Sequence, residues 1–278
     1  MASNPVTAPV LFDRALLARR LVRARKLGPA AFLLDRVRED LVERLAAVNR
    51  SFTEAADIWT PGEGLSLPQL NVRHVDIISS DETLPLTPAS LDLVVSALAF
   101  QFVNDLPGVL AQIRRALKPD GLLLAALIGG DTLTELRRSF AAAESECEGG
   151  VSPRVAPLAD LRDIGGLLQR AGLALPVTDV DRVVVRYDNA LALMADLRRM
   201  GATNILLERK YAPTRRTTML RMAQIYGERF ADPDGRIRAT FDIVWLSAWA
   251  PHESQPKPLR PGSATASLEE AVKKGPRK

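Results

Sequence analysis

The stretch Leu91–Ile128, "LDLVVSALAFQFVNDLPGVLAQIRRALKPDGLLLAALI", decides the fold. It begins with "LDLVVSALAF" and ends with "LLLAALI", apolar runs of strand length that are typical of strands buried on both faces of a sheet. Between them, "NDLPGVLAQIRRAL" has apolar residues at helical spacing, and "KPDG" indicates a turn. A strand, a helix and a strand in succession predict two parallel neighbours joined by a helical crossover.

The same alternation continues on both sides of this stretch. Strands are predicted at "FTEAADIW", "NVRHVDII", "VTDVDRVVVRY" and "RIRATFDIVWLSAWA". Helices are predicted twice within residues 11–48, broken at "LGPAA", and again at "GGDTLTELRRSF", at "LADLRDIGGLLQRAG" and near 189–200 and 214–230. We therefore expect an α/β fold with a mostly parallel sheet covered by helices.

Three parts are expected along the chain. Residues 1–50 hold N-terminal helices, and residues 51–253 form the α/β domain, with a helical insertion at about 189–230. Residues 254–278 are rich in Pro, Gly, Ser and Lys, which indicates a flexible basic tail.

Charge and composition exclude several classes of protein. From Lys257 onward the chain has six basic and two acidic residues, which equals the net charge of +4 of all 278 residues. The rest is neutral, which argues against a nucleic-acid groove. No apolar run approaches the ~20 residues of a membrane helix. The single cysteine suits a reducing compartment, and the Ala/Arg/Leu-rich composition favours the cytoplasm of a bacterium.

The segment Arg14–Lys26, "RALLARRLVRARK", has six basic residues and no acid. Apolar residues recur in it at near-helical spacing. Such a basic amphipathic helix can contact an anionic membrane, here the inner face of the bacterial membrane. It can equally be a solvated helix whose apolar stripe packs on the protein.

Ligands of parallel α/β sheets bind beyond the carboxyl ends of the strands. Four segments follow predicted strands and should surround one crevice: residues 59–64, 81–82, 96–100 and 129–132. The first belongs to "DIWTPGEG", Asp57–Gly64, which has the position of a glycine-rich nucleotide loop. A lone G-x-G is a weak sign of cofactor binding.

Several motifs together resemble one family. They are "DETLPL", the stretch from Leu91 to Arg137, "EGGVSPRVAP" and "HESQPKPLRPGSA". The chain resembles the class I S-adenosylmethionine-dependent methyltransferases of the respiratory complex I assembly factor 5 group, and more distantly the biotin-pathway malonyl-carrier methyltransferases. The resemblance implies a Rossmann-like class I sheet of seven strands with a final antiparallel strand, Ile237–Ala250. It also implies S-adenosylmethionine at the sheet edge and a role in maturation of complex I, although the chemistry of that group on an arginine is hydroxylation.

The opening loop departs from the family pattern. There, a D-x-G-x-G-x-G-like loop begins a helix, and two strands follow before "DE-x-LP". The segment from Asp57 to Pro85 is too short for all these elements. We therefore expect a truncated first crossover, in which the helix and one strand are cut down.

The family pattern suggests residues for the cofactor. By this pattern, Gly62 and Gly64 would form a tight turn. Asp76 would bind the ribose hydroxyls, and Asp81 would bind the adenine amino group. The candidate cofactor residues are Gly62, Gly64, Asp76, Asp81, Glu82, Ser96 and Ala97.

Substrate candidates lie at the expected crevice mouth: Gln101, Asp131 and Glu135. Asp131 also suits the start of a helix, and Thr132 with Glu135 fits a capping box. Weaker candidates are Asn204, Arg209, Trp245 and His252. No catalytic residue is assigned, because methyl transfer depends mainly on positioning.

No metal site is predicted. His74 and Asp76 spell H-x-D, and His252 would complete two histidines and one carboxylate for iron. The long separation in sequence and the α/β pattern argue against such a site.

Three functions remain open. The first is a methyltransferase that acts on a protein acceptor, such as a complex I subunit. The second is a non-catalytic assembly factor that has lost the cofactor. The third is a malonyl-carrier O-methyltransferase, whose helical insertion would cap an acyl chain.

Overall fold

The computed structural model describes residues 10–67, 70–76, 82–158 and 160–256. Within these ranges, the strands are β1 Glu54–Ile58, β2 Asn71–Val75, β3 Leu91–Ala97, β4 Leu117–Gly129, β5 Ala174–Tyr187 and β6 Ile237–Trp249. The helices are α1 Arg14–Leu27, α2 Phe32–Ala46, α3 Leu106–Ala116, α4 Thr134–Glu148, α5 Leu161–Arg170, α6 Ala190–Arg199 and α7 Arg216–Phe230. A single 3₁₀ turn covers Phe100–Phe102.

The strands form one sheet in the order β2-β1-β3-β4-β6-β5. The pairs β1–β2, β1–β3 and β3–β4 are parallel. β6 runs antiparallel to both β4 and β5. This confirms the predicted α/β fold and its antiparallel last strand.

The truncated first crossover is visible in the connection from β1 to β2. None of its described residues is helical. The described ranges contain six strands instead of the implied seven, because a single strand, β2, separates β1 from β3 in the chain. Residues 59–70 are too few for a helix and its two loops.

The unit from β3 to β4 forms as its sequence predicts. Asp105 caps α3, since its carboxylate accepts a hydrogen bond from the amide of Gly108 at 2.9 Å. The apolar stripe of α3 is buried against the sheet. The predicted turn at 118–121 is instead an irregularity at the start of β4, where the register with β3 shifts.

α2 covers part of the sheet face opposite α3. Val37 and Leu41 are fully buried in a cluster with strand residues that include Leu93. Leu65 and Leu67, from the connection between β1 and β2, join the same cluster. α2 and this loop therefore bury apolar sheet surface beside a connection whose described residues include no helix.

The basic helix α1 packs on the protein through its apolar stripe. Leu17 is buried in the main core, together with Phe12 just before the helix. The exposed side carries Arg19, Arg23 and Lys26. Within the described ranges, no helix is long and apolar enough to cross a membrane.

Residues 189–230, predicted as a helical insertion, contain α6 and α7, which pack with α4 and β6. Met222 and Tyr226 of α7 are fully buried. The Tyr226 hydroxyl donates to the carbonyl of Arg238 at 2.8 Å. The insertion is thus anchored to the sheet.

Candidate functional site

A cavity of about 580 Å³ lies beyond the carboxyl ends of β1, β3 and β4. Residues just after these strands line it, including Gly62, Leu98 and Thr132. Helices α1, α2, α4 and α6 supply most of the apolar wall, through Leu21, Leu33, Leu136, Phe140, Met194 and Leu197. Its size is that of a cavity for a drug-sized ligand.

The polar side chains of the cavity wall are dominated by arginine. Five arginines line it: Arg25, Arg38, Arg154, Arg198 and Arg199. Glu63 is the one carboxylate among the described lining residues. Neutral polar side chains also line it: Gln101, Thr132, Thr203, Asn204 and Thr214.

Asp57 organises the loop that follows β1. Its buried carboxylate accepts hydrogen bonds from the Leu65 amide at 2.8 Å and the Thr60 hydroxyl at 2.5 Å. It also lies 2.9 Å from Nδ1 of His74. The Thr60 oxygen in turn accepts from the amide of Ala97 at 2.9 Å. Asp57 therefore closes the loop onto β2 and β3.

The two glycines of the loop differ in their surroundings. Both have positive φ angles, +89° for Gly62 and +78° for Gly64, which favour glycine. A Cβ on Gly64 would lie 2.6 Å from Nδ1 of His74 and 2.9 Å from the Asp57 carboxylate. A Cβ on Gly62 would meet only Arg38 Nη2, at 4.0 Å. Gly64 thus serves packing, while Gly62 leaves open space beside the cavity.

Two helices hold this loop through arginines. Arg25 of α1 donates from Nη2 to the carbonyl of Gly62 at 3.3 Å. Arg38 of α2 donates from Nη2 to the carbonyl of Gly64 at 3.1 Å and pairs with Asp35. The N-terminal helices therefore form part of the cavity and fix its loop.

The other described candidates for the cofactor, Asp76, Glu82, Ser96 and Ala97, are not among the residues that line the cavity. Ser96 is buried, and its hydroxyl donates to the carbonyl of Ile58 at 2.7 Å, which ties β3 to β1. The Ala97 amide is used by Thr60. Asp76 is exposed, directly after β2. Asp81 lies outside the described residues.

Glu82 is buried and bound to the main chain. Its carboxylate accepts from the amides of Asn104 and Asp105, each at 2.8 Å. Arg14 lies 3.8 Å away, and its guanidinium stands 5.0 Å from the Trp59 ring centre. Burial lowers the pKa of Arg14, and Glu82 partly offsets this effect. Glu82 thus joins α1 to the start of α3.

The three substrate candidates separate in space. Gln101 lines the cavity and donates to the carbonyl of Leu98 at 2.7 Å. Asp131 is exposed and pairs with Arg182 at 2.8 Å. Glu135 is buried and accepts from the Thr240 hydroxyl at 2.5 Å. Of the three, Gln101 alone lies on the cavity wall.

The predicted capping box at Thr132 and Glu135 is wrong. α4 begins at Thr134, and the Thr132 hydroxyl donates to the carbonyl of Gly129 at 2.8 Å. The same oxygen accepts from the Asp242 amide at 2.8 Å. Long-range bonds to β6 replace the local cap here.

Asp242 explains the "GGDT" motif, and sequence reasoning missed it. Its carboxylate accepts from the Asp131 amide at 2.8 Å and pairs with Arg182 at 2.7 Å. A Cβ on Gly130 would lie 2.5 Å from this carboxylate. Burial raises the pKa of Asp242, but the hydrogen bonds from Arg182 and Asp131 lower it further, so the net shift is downward. The available signal was an acid inside the apolar run of β6, because a buried carboxylate needs hydrogen-bonding partners.

Glu144 holds the "EGGVSPRVAP" linker against the cavity. This buried carboxylate of α4 accepts from the Ser152 amide at 2.7 Å and from Nε of Arg154 at 2.8 Å. Arg154 also donates to the Thr214 hydroxyl at 2.8 Å. Burial raises the pKa of Glu144, yet the hydrogen bonds from Ser152 and Arg154 outweigh it and lower the pKa.

The weaker candidates have mixed positions. Asn204 lines the cavity and donates to the carbonyl of Pro153 at 2.7 Å. Arg209 pairs with Asp13 at 3.4 Å. Trp245 is buried beneath Arg44, whose guanidinium lies 4.3 Å from its ring centre. Only Asn204 of these three touches the cavity.

His74 and His252 lie at opposite ends of the strands. His74 pairs with Asp57 near the carboxyl end of β1. His252 follows Trp249, which pairs with Leu122 near the amino end of β4. In the described part of the chain, no three His, Cys, Asp or Glu side chains form a group that could hold a metal ion.

Residues 32–125 match the family model described as a methyltransferase domain. The chain is similar to the arginine hydroxylase NDUFAF5 of Mus musculus, with 44% identity over 95% of this chain and 84% of that protein. The protein of the same name from Danio rerio is 43% identical, over 72% of this chain and 62% of its own length. A malonyl-[acyl-carrier protein] O-methyltransferase of Xylella fastidiosa (strain M23) is 31% identical, over 86% and 83%.

Proposed function

The chain belongs to the family of the arginine hydroxylase NDUFAF5, and we propose that it is an S-adenosylmethionine-dependent methyltransferase that acts on a protein acceptor during assembly of respiratory complex I. The methyltransferase domain supports the reaction class. The NDUFAF5 relatives support the role in complex I assembly.

The observation that carries the cofactor assignment is Gly62. It lines the cavity at the carboxyl end of β1, and its missing side chain leaves room for close approach of a ligand to the backbone. The apolar wall suits a flat purine, while the Gln101 amide offers a hydrogen-bonding group. These features fit S-adenosylmethionine.

When bound, S-adenosylmethionine supplies a methyl group that its sulfonium already activates. The protein's own part is to hold the acceptor in line and to exclude water. α1, α2 and Gln101 line the cavity, and the hydrogen bond to the Leu98 carbonyl fixes the Gln101 amide. No side chain is assigned as a general base.

Calorimetric titration of the full chain with S-adenosylmethionine tests this proposal. We expect micromolar binding that weakens about tenfold or more in Gly62→Val, because the added side chain fills the approach to the backbone. Gly235→Val is the matched control, since Gly235 also has a positive φ, +83°, and open surroundings but lies outside the cavity. Equal binding by the two variants would contradict the site.

Mass spectrometry of purified complex I subunits after incubation with the protein and cofactor identifies the reaction. An added methyl group on the acceptor is the expected product. An added hydroxyl group, as the name of the NDUFAF5 relatives describes, would overturn methyl transfer while leaving the acceptor class intact.

Two alternatives have observations in their favour. Pro61 lacks an amide hydrogen, so the loop has one donor fewer for a ligand, which favours an assembly factor without cofactor. A folded chain that binds no S-adenosylmethionine would support it.

The apolar cavity and the Xylella fastidiosa relative favour a malonyl-carrier O-methyltransferase, for which methylation of a malonyl carrier protein is the test.

The cellular location stays a prediction. Contact of α1 with the inner membrane of a bacterium would use its exposed basic side, since the apolar stripe packs inside. Binding to anionic vesicles that is lost in Arg19→Glu would support this contact.

A further inference from the structure

We propose that Arg25, Arg38 and Glu63 bind the amino-acid end of the cofactor, the arginines its carboxylate and the glutamate its ammonium group. This inference rests on the proposed function. It assigns these three residues in place of the amides that a longer glycine loop and its helix would provide.

The positions of the two arginines support this assignment. Arg25 and Arg38 come from different helices, and both line the cavity beside Gly62. Their Nη2 atoms lie 3.3 Å and 3.1 Å from the carbonyls of Gly62 and Gly64. A guanidinium has five N–H donors, so these contacts leave donors for a carboxylate. Arg38 Nη2 also lies 4.0 Å from where a Gly62 Cβ would be, in the open space beside the loop.

The charged side chains of the cavity fit a ligand end that carries both a negative and a positive group. Glu63 is the one carboxylate of the described lining, and it lies in the chain between the two glycines. Arg154 pairs with Glu144 and Arg199 with Asp196. Arg38 also pairs with Asp35, through Nη1, and it binds the Gly64 carbonyl of the loop through Nη2. Arg25, Arg38 and Glu63 therefore form a charged group at the loop itself, which matches a carboxylate and an ammonium on one carbon.

The truncated crossover explains why helices α1 and α2 would take this role. A helix that begins after a glycine loop presents free amides to an anion. Here no described residue between β1 and β2 is helical, and Pro61 has no amide hydrogen to donate. The two arginines supply donors at the same place from distant parts of the chain.

Two ligands that differ only in the amino-acid end provide the test. S-Adenosylhomocysteine has this end, whereas 5′-methylthioadenosine keeps the nucleoside and thioether without it. Calorimetric titration measures both ligands with the full chain and with Arg25→Ala, Arg38→Ala and Glu63→Gln. Arg36→Ala is the control, because Arg36 lies on the same helix as Arg38 but pairs with Asp181 outside the cavity.

The wild type should bind S-adenosylhomocysteine about 10- to 100-fold more tightly than 5′-methylthioadenosine. Each of the three variants should reduce this preference and leave the affinity for 5′-methylthioadenosine unchanged, while Arg36→Ala keeps the preference. Equal weakening of both ligands would overturn the inference, since it would mean that the arginines only hold the loop. An unchanged preference in Arg38→Ala would overturn it too. If a folded wild type binds neither ligand, the proposed function fails together with the inference.

Discussion

The connections that leave β1 and β3 start at the same edge of the sheet but are built differently. The one after β3 contains α3, with its own cap at Asp105 and its own apolar stripe. The one after β1 has no helix among its described residues, and distant groups hold it: His74, Arg25 and Arg38. A crossover can thus be stabilised by its own local sequence or by contacts with residues far away in the chain. The cavity lies at the strand ends where the two connections begin.

The largest effect should come from Asp57→Ala, which removes the centre of the β1 connection. The change leaves the buried Leu65 amide without its acceptor and frees Thr60 and His74. We expect a loss of about 3–5 kcal/mol in the free energy of unfolding, measured with urea. A loss below about 1 kcal/mol would show that the loop does not depend on this carboxylate.

Leu41→Ala tests whether α2 replaces the missing crossover helix. Leu41 is fully buried against the sheet, so its truncation should cost about 2–5 kcal/mol. Leu110→Ala in α3 should cost a similar amount, since Leu110 is buried on the opposite face. Val42→Ala, at an exposed position of α2, is the control and should change stability by less than about 0.5 kcal/mol. A mild Leu41→Ala would mean that α2 is only loosely attached.

The free energy of unfolding should depend on pH through Glu144, which holds the linker beside the cavity. The folded-state pKa of Glu144 is lowered, so its stabilising contribution is complete above its unfolded pKa of about 4.3 and is lost as pH falls through the folded value. Unfolding free energies measured between about pH 7 and pH 3 should fall at the acid end. Glu144→Gln should make this fall smaller, and an unchanged profile would contradict the assignment.

The smallest effect is expected at the local crossover. Asp105→Ala removes the side-chain cap of α3 and should cost about 1 kcal/mol. The contrast with Asp57→Ala sharpens the comparison, because Asp105 binds one local amide, that of Gly108, whereas Asp57 joins two strands and a loop. Similar losses for both acids, measured by the same urea unfolding, would remove the difference.

The sequence predicted what local patterns control. Apolar runs located β3 and β4, and helical spacing located α3 within two residues at each end. Such patterns could not predict the packing of α2 on the sheet, because Leu41 and Leu93 are far apart in the chain. The same holds for Asp242, which sets the conformation of the "GGDT" turn from β6.

The candidate site was predicted at the level of strand ends, but less well for individual side chains. Gly62 and Gln101 line the cavity, as expected for residues beyond β1 and β3. Ser96 and Glu82 also follow predicted strands. Ser96 nevertheless binds the carbonyl of Ile58, and Glu82 binds two main-chain amides just before α3. Proximity to a strand end does not tell whether a polar group faces a ligand or the main chain. Arg25 and Arg38 were missed because they reach the loop from helices earlier in the chain.

The most direct test is a crystal structure of the full chain grown with S-adenosylhomocysteine. The account predicts the ligand in the cavity beyond β1, with its backbone contact at Gly62 and its amino-acid end between α1 and α2. A ligand bound elsewhere, or a folded chain whose cavity stays empty at saturating ligand, would contradict it.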